Sequence, residues 1–201
     1  MSRPFRLGLT GSIGMGKSTT SGFFRDAGVP VWDADAAVHR LYAPGQPGAR
    51  AIAALHPAAV GEDGVSRAVL KDWIAADAKA LPRIEAAIHP LVAADRADFI
   101  ENAAADGADL VVLDIPLLFE TGGDAQMDGT LVVSAPPEVQ RARVLERPGM
   151  TLAQFETILA RQMPDSEKRT RATWVIETLG LEPTRAAVRH LIDVIRGRNH
   201  A

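Results

Sequence analysis

Residues Gly11-Ser12-Ile13-Gly14-Met15-Gly16-Lys17-Ser18 follow a segment that reads as a strand, Phe5–Thr10, and open a helical pattern. They satisfy G-x-x-x-x-G-K-[ST] at every position, in the strand–loop–helix setting that this motif requires. The spacing has a physical reason. Glycines let the backbone turn its N–H groups inward around phosphate oxygens, and the following helix points its positive end at the same anion. Lys17 reaches the terminal phosphates as a mobile charge, and Ser18 is placed to ligate Mg²⁺. The plainer reading is a Gly-rich turn carrying an exposed lysine. The glycine order does not match G-x-G-x-x-G, so a nicotinamide dehydrogenase loses support.

A strand feeding such a loop constrains the rest of the chain. Further short apolar runs lie at residues 29–32, 110–113, 131–133 and 174–176. Continuous apolar strands separated by helical segments predict an α/β fold around a parallel sheet of about five strands, buried on both faces. Pro136 and Pro137 start a helix ending near Arg147. Thr151 and Gln154 form a capping box for a helix through Arg161. Thr184 caps a last helix that breaks at Gly197. Residues 36–107 read as mainly helical and are too long for one crossover, so they form an insertion beside the sheet.

Composition narrows the function. The chain has 201 residues, no cysteine and a formal charge of −3. Disulfides, thiolate metal sites and a cysteine nucleophile are therefore excluded. The charge balance gives no broad basic surface, which argues against nucleic acid as the main partner. No apolar run reaches the ~20 residues of a membrane span. The first six residues lack a signal-peptide stretch. The expectation is a soluble cytoplasmic protein, monomeric or weakly homo-oligomeric, acting on a small molecule.

Two carboxylate groups end predicted strands. Asp33 and Asp35 follow the second run, on the sheet edge that carries the phosphate loop and where ligands of open α/β sheets bind. Asp33 is placed to accept a proton from an attacking hydroxyl and to help organise Mg²⁺. Either residue serves equally well as an N-cap for the helix that follows. Asp114 ends the third run, the arrangement of a carboxylate that positions Mg²⁺ or its water. The alternative is a turn-forming Asp before Pro116. Arg141, Arg143 and Arg147 fall on one predicted helix, with Arg143 and Arg147 on one face. A helix–turn–helix bearing them is able to close over polyphosphate, although arginine helices are also common as solvated faces. Lys168, Arg169 and Arg171 read as solvated. His89, in a His-Pro pair, reads more readily as structural than as catalytic, and the other histidines show no metal-ligand spacing.

Taken in order, the phosphate loop with Leu9 and Thr10, Asp33-Ala34-Asp35, His89-Pro90, Asp114-Ile115-Pro116-Leu117-Leu118-Phe119-Glu120, Arg143 with Arg147, and Gln162 resemble dephospho-coenzyme A kinases. The resemblance runs from Leu7 to about Gly180. It implies the three-layer P-loop NTPase fold, with a nucleotide core at 1–35, 108–140 and 170–201, a helical acceptor-side insertion at 36–107 and a helical lid at about 141–169. It implies ATP-dependent phosphorylation of the ribose 3′-hydroxyl of dephospho-coenzyme A, with ATP and Mg²⁺ as cofactors. Residues 11–18 and Thr19 would hold the nucleotide, and Ser18 and Asp114 the metal. Asp33 would be the base, acting with Lys17, Arg143 and Arg147. Asp33, Asp35, His89, Leu117, Leu118, Phe119 and Glu120 would face the acceptor.

The chain departs from the family pattern in places. Ser12 and Met15 stand where Gly and Ser are common, and Pro148 follows Arg147 where Asp is usual. Thr173 and Thr178 replace the Asp and Asn of Ala-Asp-x-x-Ile-x-Asn-x-Gly. Another small-molecule P-loop kinase, acting on a nucleoside or nucleotide, and a nucleotide-binding regulator without catalysis remain as alternatives.

Overall fold

The computed structural model describes residues 3–199. Five strands form one sheet in the order β2-β5-β1-β6-β7. They are β1 (Phe5–Thr10), β2 (Val31–Asp33), β5 (Leu110–Asp114), β6 (Gly129–Ser134) and β7 (Trp174–Glu177). β1 runs parallel to β5 and β6, and β6 parallel to β7. Every residue of β5 and β6 is buried. That explains why these runs are continuously apolar rather than alternating.

Helices α1 (Lys17–Asp26), α6 (Pro137–Leu145), α7 (Leu152–Leu159), α8 (Asp165–Arg171) and α9 (Leu181–Asn199) accompany this sheet. Leu7, Leu9, Phe24, Val112, Leu131, Val133, Val188 and Ile195 belong to one hydrophobic core.

The second strand begins two residues later than the apolar run suggests, and the reason is local. Gly28 has φ 77°. Its N–H donates to Arg25 O, and the Val29 N–H donates to Phe24 O. This paired pattern stops α1 in a left-handed glycine, with Val29 folding back onto Phe24. Val29 is thus core, but it closes a helix. Other boundaries also move. α6 ends at Leu145, so Arg147 lies in the following turn. α7 ends at Leu159. α9 starts at Leu181, and Thr184 sits inside it, its hydroxyl donating to Gly180 O at 2.6 Å. Gly197 does not break α9. The capping box forms as expected, with Thr151 N–H donating to Gln154 Oε1 at 2.9 Å and Gln154 N–H to Thr151 Oγ1 at 3.3 Å.

The chain divides into two compact units: Met1–Trp32 with Ala103–Ala201, and Asp33–Asn102. The second contains α2 (Ala34–Leu41), α3 (Pro47–Leu55), a two-stranded hairpin β3 (Val60–Gly61) and β4 (Gly64–Val65), α4 (Arg67–Ala76) and most of α5 (Ala80–Ala105). It has its own core of Ile52, Ala59, Leu70, Ile84 and Ile88. His56 stacks on Trp73 at 4.6 Å. The hairpin, unforeseen in a segment read as helical, depends on Gly64. Its φ is 91°, and a Cβ there would lie 2.3 Å from Tyr42 O.

Candidate active site

The loop between β1 and α1 is pinned from several directions. Gly16 caps α1 with φ 81° and, among the described residues, α1 has no side-chain cap. Its first-turn amides are therefore left for an anion. A Cβ on Gly16 would lie 3.0 Å from Thr178 Oγ1, so glycine is required there by backbone and by space. Met15 is only 2% exposed and joins the main core. Its sulfur accepts the Ala135 N–H at 3.0 Å. Ser12 Oγ is buried without a hydrogen-bond partner among the described residues. An orphaned hydroxyl and uncapped amides in one loop suit a ligand rich in acceptor oxygens.

Lys17 Nζ pairs with Asp114 Oδ1. Asp114 closes β5 and its side chain is 1% exposed, against 18% for Lys17. It is thus a buried carboxylate against the loop's lysine. Thr10 Oγ1 donates to Pro116 O at 3.0 Å, which ties the loop after β5 to β1. Ser18 and Thr19 are exposed at the start of α1.

Beside the loop lies a cavity of about 440 Å³ bordered by Gly14, Gly16, Thr19, Arg143, Arg147 and Thr178, among others. Arg143 and Arg147 therefore do meet at one place, although only Arg143 is helical. Arg143 Nη1 donates to Thr178 Oγ1 at 3.0 Å, and its Nη2 to Thr178 O. The Thr178 hydroxyl donates to Met15 O at 2.9 Å. Leu179 and Leu181 add exposed apolar surface to the rim. A pocket with arginines, helix-start amides and an apolar lip matches the mixed surface of a nucleotide. Arg141 is exposed outside it.

The other candidates fall as follows. In the second unit, Asp33 Oδ1 accepts the Ala36 N–H at 2.9 Å, so Asp33 is the N-cap of α2. Asp35 is exposed in the first turn. His89 is exposed on α5, next to Pro90 inside that helix. After β5, Leu117 is 42% exposed, whereas Leu118 and Phe119 are core residues.

The chain matches the dephospho-CoA kinase family over residues 5–181. It belongs to that family. A dephospho-CoA kinase of Cereibacter sphaeroides is 66% identical over 194 residues, covering 96% of this chain and 97% of the relative. A solved Thermus thermophilus structure is 37% identical with a TM-score of 0.81, covering 96% of this chain and 98% of that one. The dephospho-CoA kinase of Campylobacter jejuni, 19% identical with a TM-score of 0.67, covers 96% and 98% and shares the fold.

Within this family member, the basic run at 168–171 divides: Arg169 and Arg171 are exposed, as expected, whereas Lys168 turns inward. α8 lies against β6, and Lys168 is fully buried, its Nζ 2.9 Å from Glu120 Oε1. The contact is an ion pair rather than a well-directed hydrogen bond. Glu120 also accepts the Met163 N–H at 2.9 Å. Arg169 donates to Glu177 and Ser134. Arg171 donates to Asp124 at 3.1 Å and lies 4.8 Å over the Phe119 ring. Glu120 thus fastens the loop after β5 to the segment between α7 and α8. Sequence reading missed this because every partner is distant in the chain. Thr178 and Met15 were missed for the same reason.

Burial pushes the Glu120 carboxyl up, but Lys168 and the Met163 N–H more than offset it and hold it below its ordinary value. Burial likewise opposes ionisation of Asp128, and the Arg6 guanidinium and N–H, with Arg3, hold it low. Both groups favour the folded chain above their ordinary values of 4.5 and 3.8, and that contribution is lost as pH falls through the lowered ones. Thermal unfolding followed from about pH 7 to about pH 3 should show Glu120→Gln destabilised at neutral pH and converging on the parent in acid. A constant gap across that range would remove Glu120 from this role.

Proposed function

We infer that this chain transfers the γ-phosphoryl group of ATP to the ribose 3′-hydroxyl of dephospho-coenzyme A, giving coenzyme A and ADP. The observation that carries the reading is a complete phosphate loop whose Gly14 and Gly16 border one cavity with Arg143 and Arg147, in a member of this family.

The 3′-oxygen forms a bond to the γ-phosphorus as the bond to the bridging oxygen of ADP breaks, and the hydroxyl proton passes to the Asp33 carboxylate. The loop of residues 11–18 and Thr19 wraps the phosphates with its free amides, and Lys17 is kept in place by Asp114. Mg²⁺, when bound, offsets phosphate charge, and Ser18 and Asp114 would hold it. Arg143 and Arg147 oppose the charge that develops on the transferring group. Residues 141–169 act as the lid and 36–107 as the acceptor side, with Asp35, His89 and Leu117 toward the acceptor. Leu118, Phe119 and Glu120 shape that side from within. No helix among the described residues is long and apolar enough to cross a membrane, and we place the enzyme in the cytoplasm.

ADP release measured across an acceptor panel tests this reading. Turnover with dephospho-coenzyme A should exceed that with nucleosides, nucleotides and shikimate by orders of magnitude. Preference for a nucleoside would make the chain a different small-molecule kinase, and ATP binding without turnover would make it a regulator.

A further inference from the structure

The phosphate motif leaves position 13 free to vary, yet both its backbone N–H and its carbonyl are held by glutamine side chains from outside the loop. The Ile13 N–H donates to Gln162 Oε1 at 3.0 Å. Ile13 O accepts from Gln140 Nε2 at 2.7 Å. Gln140 lies on α6 and is 4% exposed. Gln162 follows α7, its own N–H turned back to Leu159 O at 3.1 Å. The two backbone partners fix which end of each side-chain amide faces the loop. α6 also abuts the next residue, since a Cβ on Gly14 would lie 2.5 Å from Val144 Cγ2 and 3.0 Å from Gln140 O.

One end of the loop is therefore anchored in the core through Met15, and the other is gripped at Ile13 by both arms of the α6–α7 helix pair. A Gly-rich loop left to itself samples many conformations. A clamp on one peptide selects among them before any ligand arrives, and binding then carries a smaller ordering cost. We propose that Gln140 and Gln162 are positioning residues that preset the phosphate loop for the nucleotide triphosphate through the Ile13 peptide. This rests on the reading that residues 11–18 hold the phosphates. The clamp also makes loop shape depend on where residues 137–162 stand, so the same helices that carry Arg143 set the loop's readiness.

The test uses the full chain and two near-isosteric variants, Gln162→Met and Gln140→Met. If the competent loop becomes a minor population, apparent ATP affinity falls in proportion. Each variant should raise KM for ATP about tenfold while KM for the acceptor stays within about twofold. Amide exchange by NMR on the ligand-free protein gives a readout independent of activity. Exchange at Ile13 should quicken about tenfold in Gln162→Met, while Met15, whose N–H donates to Ser12 O at 3.1 Å, keeps its rate. Gln162→Glu should restore slow exchange at Ile13, because a carboxylate still accepts. Gln140→Glu should not rescue its site, because it has no proton to donate. Gln140 is buried and Gln162 is half-exposed, so Gln162→Met tests the proposal should Gln140→Met fail to fold. Parental KM for ATP and parental Ile13 exchange in Gln162→Met would overturn the clamp. So would parallel losses in both KM values with lowered thermal stability, the mark of a structural role only. Normal turnover in Lys17→Ala would instead overturn the loop reading beneath it.

Discussion

The Asp33→Asn variant is expected to bind ATP like its parent and to turn over about 10³-fold more slowly. Under the proposed mechanism Asp33 has two separable tasks. As N-cap of α2 its Oδ1 accepts the Ala36 N–H, and asparagine caps helices as well as aspartate does. The substitution should therefore leave the fold of the second unit and its thermal stability in place. What it removes is a group that takes up a proton. An amide cannot serve as a base, so the loss should fall on kcat and spare ATP binding, which the proposed mechanism assigns to residues 11–19. Asp33→Ala separates the tasks from the other side, since it loses the cap as well and should cost about 1 kcal/mol of stability. Near-parental kcat in Asp33→Asn would leave Asp33 as a cap and nothing more.

Lys17→Ala should abolish turnover and also lower stability, for different reasons. In the proposed mechanism the lysine offers the loop's mobile charge to the terminal phosphates. It also neutralises Asp114, whose side chain is 1% exposed. Removing one partner of a buried pair leaves the other charged in a poor environment and costs about 3 kcal/mol. For a chain of this size that is roughly a 10 °C fall in Tm. A double variant, Lys17→Ala with Asp114→Asn, removes both charges. Calorimetry should find most of the lost stability recovered, while the coupled assay finds no activity. Activity returning with stability would mean that Lys17 acts only by neutralising Asp114.

The features legible in the sequence are those whose determinants are local. The loop at 11–18 is a consecutive motif, residues 110–113 of β5 are a continuous apolar run, and the Thr151–Gln154 box needs four residues. These fix the fold class and the phosphate-binding end of the core. Determinants carried by distant partners were not legible. A basic run gives no sign that Lys168 turns inward to Glu120. Nothing at position 15 announces that its sulfur will accept an N–H from Ala135. Thr178, a departure from the family pattern, bonds both Arg143 and Met15 O, a role only tertiary structure supplies. Arg143 and Arg147 reach the same cavity, but through a helix end and a turn rather than a shared helical face. Val29 shows how an apolar residue beside a strand is claimed by a helix stop when a glycine precedes it.

Phosphorus NMR of the product formed from ATP and dephospho-coenzyme A is the most direct measurement of all. One new phosphomonoester, coupled to the hydrogen on the ribose 3′-carbon and formed in step with ADP, is the expected result. A phosphate on the 2′-oxygen or elsewhere on the acceptor, or ADP appearing with free phosphate and no ester, would contradict the assigned reaction.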